Sequence, residues 1–266
     1  MRFLFLIIAT SLLPLAAAAG AEIDGQDAAS YQKCLDLARS NPAEGFETAS
    51  GWRDHGGGLP AEHCVAIALV GLKEYPEAAK RLEAIANEMT VRESAALRAD
   101  VLSEAAEAWM EGGSTEGAIA ALNAAIELTP KNPDYFVSRA VAHAQSKDYK
   151  GAVQDLNRAL AIGGPRGDAL AYRAAAYRFL GDLKQARADA DKAVQIDPQL
   201  PDAWLERANI KRLTGDDTGA RQDWLTVLDL APKSAAADAA RDNLETLDVR
   251  VEGGQASDGK SKARPH

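Results

Sequence analysis

A spacing of 34 residues constrains this chain more than any other feature of its sequence. Four segments align when each is started at an aspartate: Asp100, Asp134, Asp168 and Asp202. Alanine follows six and eighteen residues later, at Ala106, Ala140, Ala174, Ala208 and at Ala118, Ala152, Ala186, Ala220. Thirty residues after the aspartate, each unit ends at Pro130, Gly164, Pro198 or Pro232. A fixed period of this length predicts an array of helix pairs, and the alanines allow the two helices of a pair to approach closely.

The first helix of each unit carries a large apolar residue two positions after its aspartate, at Leu102, Phe136, Leu170 or Trp204. With the alanines, the terminal proline and short turns such as GDL from Gly181, this pattern resembles the tetratricopeptide repeat (TPR) over residues 99–232. The resemblance implies an all-α fold, a right-handed superhelical stack of antiparallel helix pairs. It also implies that peptides or partner helices bind along a concave surface formed by the first helices.

The same patterns divide the chain. Residues 1–21 are predicted to be a signal peptide, 22–92 degenerate helix pairs, 93–233 four repeat units, 234–248 a capping helix, and 249–266 a disordered tail. A cap is expected at the end of a stack because the last outer face must be solvated.

The first 21 residues predict export. Arg2 precedes an apolar run from Phe3 to Leu13, which is too short for a membrane span, and small residues follow it. Cleavage after Ala19 and cleavage after Ala21 both fit. We therefore expect a soluble periplasmic protein if the source is a Gram-negative bacterium, without a stable membrane anchor.

Cys34 and Cys64 are the only cysteines. In an exported chain such a pair favours a disulfide, and each lies on an apolar stripe with helical spacing. A zinc site would need His63 and His55, but His63 and Cys64 are neighbours whose side chains diverge on a helix. The sequence predicts a structural disulfide and no metal site.

Charged residues also recur with the repeat. Arginine stands five residues after the aspartate in three units, and aspartate stands twenty-one residues after it, giving Arg139 with Asp155, Arg173 with Asp189, and Arg207 with Asp223. In the first unit both are alanine. Since the two positions lie nearly level in an antiparallel hairpin, we predict structural ion pairs. The alternative is that the arginines grip a ligand carboxylate. The four starting aspartates are predicted to be helix N-caps.

Carried over from the family, the resemblance places a set of residues on the concave surface as candidate peptide or partner contacts: Val137, Val141, Arg178, Phe179, Asn209, Arg212 and Leu213. Guanidinium groups beside apolar side chains are typical of interaction hot spots, and they imply an acidic and aliphatic guest. The bland alternative is that Phe179 and Leu213 are packed inside the stack.

Function follows from these features and from what the chain lacks. A net charge of -9 argues against nucleic acid as a partner. No nucleophile elbow, phosphate-binding glycine loop or paired zinc motif is present in the sequence, so we predict a protein that is not an enzyme and needs no cofactor. The favoured function is an envelope scaffold or adaptor that binds proteins. The alternative is an exported enzyme or ligand-binding protein that uses the superhelix as a pocket.

Overall fold

The computed structural model describes residues 25–89 and 95–260, and side chains within 28–89 and 95–248. The predicted signal peptide lies outside these ranges. Within them the regular secondary structure is helical, with antiparallel helices in consecutive pairs, as the sequence predicts. No helix in these ranges is both long and apolar enough to cross a membrane.

The chain divides into two compact parts at residue 163. From here on they are called the first and the second unit, and the 34-residue segments are called repeats. The first unit contains eight helices in its described part: α1 (Gly25–Ser40), α2 (Pro42–Asp54), α3 (Gly58–Gly71), α4 (Tyr75–Glu88), α5 (Ala95–Glu111), α6 (Thr115–Leu128), α7 (Pro133–Gln145) and α8 (Tyr149–Gly163). The second contains α9 (Gly167–Leu180), α10 (Leu183–Ile196), α11 (Pro201–Leu213), α12 (Asp217–Leu230) and α13 (Ala235–Lys260).

The repeated alanines lie where the helices of each pair cross. All eight, from Ala106 to Ala220, have no more than 1% of their surface exposed. A side chain this small lets two helix axes come close, and the neighbouring large residues then fill the core. In the second unit Trp224 and Ile210 are fully buried in this way.

The turns inside the pairs explain the next part of the pattern. Thirteen residues after each starting aspartate the backbone has a positive φ, at Gly113, Lys147, Gly181 and Gly215. The following residue then caps the second helix, because its side chain accepts a hydrogen bond from the backbone N–H three positions later. These caps are Ser114, Asp148, Asp182 and Asp216.

The starting aspartates are not N-caps, so that prediction is wrong. Asp134, Asp168 and Asp202 lie in the first turn of their helices, and Asp100 lies well inside α5. A proline or glycine begins α7, α9 and α11 one residue before the aspartate, which moves the helix start ahead of it. The first-turn carboxylates still lie at the positive end of the helix dipole.

The last helix occupies the register of a fifth first helix. Asn243 on α13 donates a hydrogen bond to Asn209 on α11, and the two residues are 34 positions apart. The side of α13 that would pack on a following helix carries exposed Asp238, Arg241 and Asp242. This charged face suits a cap. The helix continues to Lys260, beyond residue 248 where the sequence predicts disorder, and no proline interrupts it there.

Candidate functional site

The structure brings together all three predicted pairs of arginine and aspartate. In each, Nε and Nη2 of the guanidinium donate to the two carboxylate oxygens at 2.6 to 2.8 Å: Arg139 with Asp155, Arg173 with Asp189, and Arg207 with Asp223. The aspartates are buried, with 3 to 8% of their surface exposed. A bidentate fork satisfies both oxygens of a buried carboxylate. These groups connect the two helices of one pair.

Aromatic rings of the first helices lie against these arginines. The Arg207 guanidinium is 4.5 Å from the centre of the Trp204 ring, and that of Arg139 is 5.6 Å from the Phe136 ring. Lys211 adds a second cation 2.8 Å from Asp223. The guanidinium groups of all three arginines are thus engaged within the fold, and Arg139 also donates from Nη1 to Asn123 on α6 at 2.6 Å.

The candidate contacts of the first unit are buried. Val137 has no exposed surface and Val141 has 8%. Both belong to the apolar side of α7 that packs inside the unit, as the helical spacing of Val137 and Val141 allows. Val137 cannot contact a partner in this conformation, and its prediction as a contact residue is corrected.

In the second unit, Arg178 is already paired. Its Nε and Nη2 donate to the carboxylate of Glu206 on the next first helix, at 2.5 and 3.1 Å. Burial raises the pKa of Glu206, and the Arg178 guanidinium opposes this rise. The same guanidinium lies 4.2 Å from the centre of the Phe179 ring. Arg178 therefore links α9 to α11 and holds Phe179 at the surface, where that ring is partly exposed.

The remaining candidates of the second unit lie on α11. Asn209 uses its side-chain oxygen internally, accepting hydrogen bonds from Trp224 Nε1 at 3.3 Å and from Asn243 at 3.2 Å. Leu213, by contrast, is 55% exposed, the largest exposed fraction among the large apolar side chains that the structure describes. Arg212 is partly exposed, and its Nε is buried without a hydrogen-bond partner. Arg212 and Leu213 are the candidate contacts that the fold leaves most available.

The two cysteines lie together in the first unit. Cys34 on α1 and Cys64 on α3 have Cα atoms 6.2 Å apart, inside the range that a disulfide needs. One turn away, the Tyr31 hydroxyl is 2.8 Å from Nδ1 of His63, and Nε2 of His63 is 2.5 Å from Glu104 on α5. His63 is 1% exposed. This network ties three helices together and leaves His63 no open coordination position for a metal.

Acidic residues of α5 form the most unusual electrostatic feature of the first unit. Burial, together with the like charges of Glu104 and Glu111, raises the pKa of Glu107 to about 7. An acid in such surroundings is half protonated near neutral pH, so its charge depends on pH and on neighbouring cations.

Comparisons with known proteins agree with this geometry. A family model described as "TPR repeat" matches residues 106–147, and a second, described as "Tetratricopeptide repeat", matches residues 167–210. The chain thus contains tetratricopeptide repeats in both of these ranges. No curated protein is similar enough to this TPR chain to count as a relative.

Solved structures share its fold. The C-terminal part of a TPR repeat-containing protein from Cytophaga hutchinsonii is 15% identical, with a TM-score of 0.59 over 76% of this chain and 79% of its own. TTC0263, a thermophilic TPR protein from Thermus thermophilus, is 16% identical, with a TM-score of 0.57 over 72% and 99%. MamA from Desulfovibrio magneticus RS-1 is 17% identical, with a TM-score of 0.54 over 66% and 97%. At these identities the likeness concerns the TPR fold alone.

The sequence analysis did not predict the polar contacts between successive repeats. The 34-residue period predicts contacts within one repeat, because both partners recur at fixed positions. Glu206 has no counterpart in the adjacent registers, since the residues 34 positions before and after it are Tyr172 and Ala240, and glutamate stands at this position again only in the first repeat, as Glu104. The sequence feature that could have indicated this contact is a charged residue at a first-helix position where the neighbouring repeats have an aromatic or a small residue.

Proposed function

We propose that this TPR protein is a protein-binding scaffold, and that the first-helix surface of its second unit receives a peptide or helix of the partner. The observation that carries this proposal is the 55% exposure of Leu213 at the end of α11. Phe179, the equivalent residue of the preceding repeat, is also partly exposed. A large apolar side chain in water costs free energy that contact with a partner would recover.

The charge pairs support this assignment of roles. Arg173 and Arg207 are each paired with an aspartate of the same repeat, and Arg178 is paired with Glu206 of the following repeat. Their guanidinium groups contribute to rigidity rather than to a ligand site. A rigid surface loses little conformational entropy when it binds, which favours affinity.

The test is selection from a random peptide display library with the purified protein, followed by measurement of the affinities of the selected peptides. Leu213→Ser should weaken their binding about tenfold, since it removes most of a buried apolar contact. Leu225→Ser is the matched control, because Leu225 is 47% exposed on the second helix α12 of the same unit. Equal affinities for both variants, with helical content unchanged, would show that this surface is not the binding face.

We further propose that the scaffold acts after export, in the bacterial envelope, as an assembly factor or adaptor. The support is the signal-like sequence of residues 1–21 and the placement of two cysteines where a disulfide can form. N-terminal sequencing of the protein recovered from a periplasmic fraction tests the proposal. A mature chain that begins at Gly20 or Glu22 is expected, whereas an uncleaved chain in the cytoplasmic fraction would contradict it.

A further inference from the structure

The contact between Arg178 and Glu206 defines a site that can be compared with the next one along the array. Arg178 is the tenth residue after its starting aspartate, and Glu206 is the fourth after the following one. The carboxylate is 7% exposed and receives both guanidinium N–H groups. At this position between two first helices, an arginine therefore takes a carboxylate as its partner.

One repeat later, the arginine is present and the carboxylate is missing. Arg212 stands 34 residues after Arg178, and Ala240 stands 34 residues after Glu206. Ala240 is fully buried and offers no hydrogen-bond acceptor in its side chain. Asn243 on α13 repeats Asn209 and donates a hydrogen bond to it, so α13 occupies the register in which a partner for Arg212 would stand.

Arg212 has no replacement partner within the described side chains. Its side chain takes part in none of the hydrogen bonds or ion pairs found there, and its Nε is buried without an acceptor. A buried guanidinium N–H that lacks an acceptor has lost its hydrogen bonds to water without replacement, and the cost is greater because the group is charged. The acidic side chains of α13 that the structure describes do not relieve this cost, since Asp238 is bound to Arg241, Asp248 to Arg221, and Asp242 and Glu245 lie exposed.

We propose that Arg212 is a subsite for a carboxylate side chain, Asp or Glu, of the protein partner. The partner's carboxylate takes the role that Glu206 plays toward Arg178, and an apolar residue beside it covers Leu213. This inference rests on the proposed function of the same surface, and it names the chemistry that the surface selects.

The surroundings favour a peptide carboxylate over a free anion or a nucleic acid. Leu213 follows Arg212 in the chain and is more than half exposed, so the ligand must carry an apolar group next to its negative charge. A net charge of -9 repels polyanions at long range, whereas one acidic side chain within an apolar segment is tolerated. One carboxylate against one arginine is thus the complementary arrangement.

The same display selection tests the subsite when wild type and Arg212→Gln are compared. Wild type should enrich peptides in which Asp or Glu stands near Leu, Ile or Phe. Arg212→Gln should keep the apolar preference, lose the acidic one, and bind the wild-type peptides about tenfold to hundredfold more weakly, as expected for a lost hydrogen bond to a charge. Arg187→Gln, an exposed arginine on α10, is the matched control and should bind like wild type.

The Nε–H resonance of Arg212 gives a second, direct measurement. It should shift when a selected acidic peptide is added, and the Arg178 resonance should stay in place because Glu206 already holds that group. An acidic preference that survives in Arg212→Gln, or an unmoved Arg212 resonance, overturns the subsite and leaves the scaffold proposal standing. An equal shift with inorganic phosphate at the same concentration overturns the assignment to a peptide carboxylate. If wild type enriches no peptide, the binding face and the subsite fail together.

Discussion

Replacing Arg173 by alanine tests whether the repeated charge pairs are structural. The substitution removes the bidentate partner of Asp189, bonded at 2.7 Å, and Asp189 is only 8% exposed in the intact protein. The protein contains its own reference for the double replacement, because the first repeat has Ala105 and Ala121 at these two positions, with 0 and 3% exposure. A pair of alanines is therefore compatible with this packing, whereas a lone buried aspartate is not.

The magnitude follows from these environments. Breaking a buried pair costs about 3 to 5 kcal/mol, and the lower end applies because the Arg173 side chain is 20% exposed and water can reach the gap. In an Asp189→Ala background, Arg173→Ala removes no carboxylate partner, and the loss of the packed arginine stem and of its contact with the Tyr177 ring costs about 1 kcal/mol. The difference predicts a coupling free energy of about 2 kcal/mol.

Urea unfolding of the four proteins of this double-mutant cycle, followed by far-ultraviolet circular dichroism, measures the coupling. Arg173→Ala should lower the free energy of unfolding more in the wild-type protein than in the Asp189→Ala background. Additive free energies of unfolding, with a coupling below about 0.5 kcal/mol, would refute the structural interpretation and return the arginines to the candidate ligand contacts.

Three further outcomes are expected from the structure. Thiol titration of denatured, unreduced protein recovered after export should find no free thiol at Cys34 and Cys64, and reduction should lower the free energy of unfolding by about 3 to 4 kcal/mol for a closed loop of 30 residues; two free thiols would contradict the bond. Because the pKa of Glu107 is raised in the folded protein from 4.5 to about 7, the folded state binds the proton more tightly, so stability should fall as pH rises through this window, by at most about 3 kcal/mol; Glu107→Gln should flatten the profile, and an unchanged slope would contradict the assignment. Lys147→Gly should raise the stability by about 1 kcal/mol, because Lys147 has a φ of 67° where Gly181 occupies the equivalent turn; thermal unfolding checks this, and a lower melting temperature would oppose it.

The repeat period made much of the fold predictable. A helix pair places residues at fixed offsets in the same surroundings in every unit, so the buried alanines, the turns and the pairing of Arg173 with Asp189 follow from one alignment of the chain with itself. The first repeat has alanine at both charged positions, which also indicated that the two residues are in contact, because residues in contact change together.

The candidate site was predictable only in part. The alignment identified Arg212 and Leu213 as first-helix surface residues, and the structure leaves them partly exposed and exposed, respectively. It also named Val137, which is fully buried. Offset within the repeat fixes the direction of a side chain from its helix, but the neighbouring helix decides whether that direction leads to solvent.

Tertiary structure decided the contacts that occur once. Arg178 on α9 pairs with Glu206 on α11, and the network of Tyr31, His63 and Glu104 joins α1, α3 and α5, so both connect helices of different pairs. Glu104 and Glu206 share one repeat position, but their partners differ in type and in position. The period does not predict the partner in such contacts, because each depends on the distance and angle between two particular helices. The sequence determined the repeats and their internal bonds, whereas the packing of one helix on the next determined which buried charged groups find an acceptor and which, such as Arg212 Nε, do not.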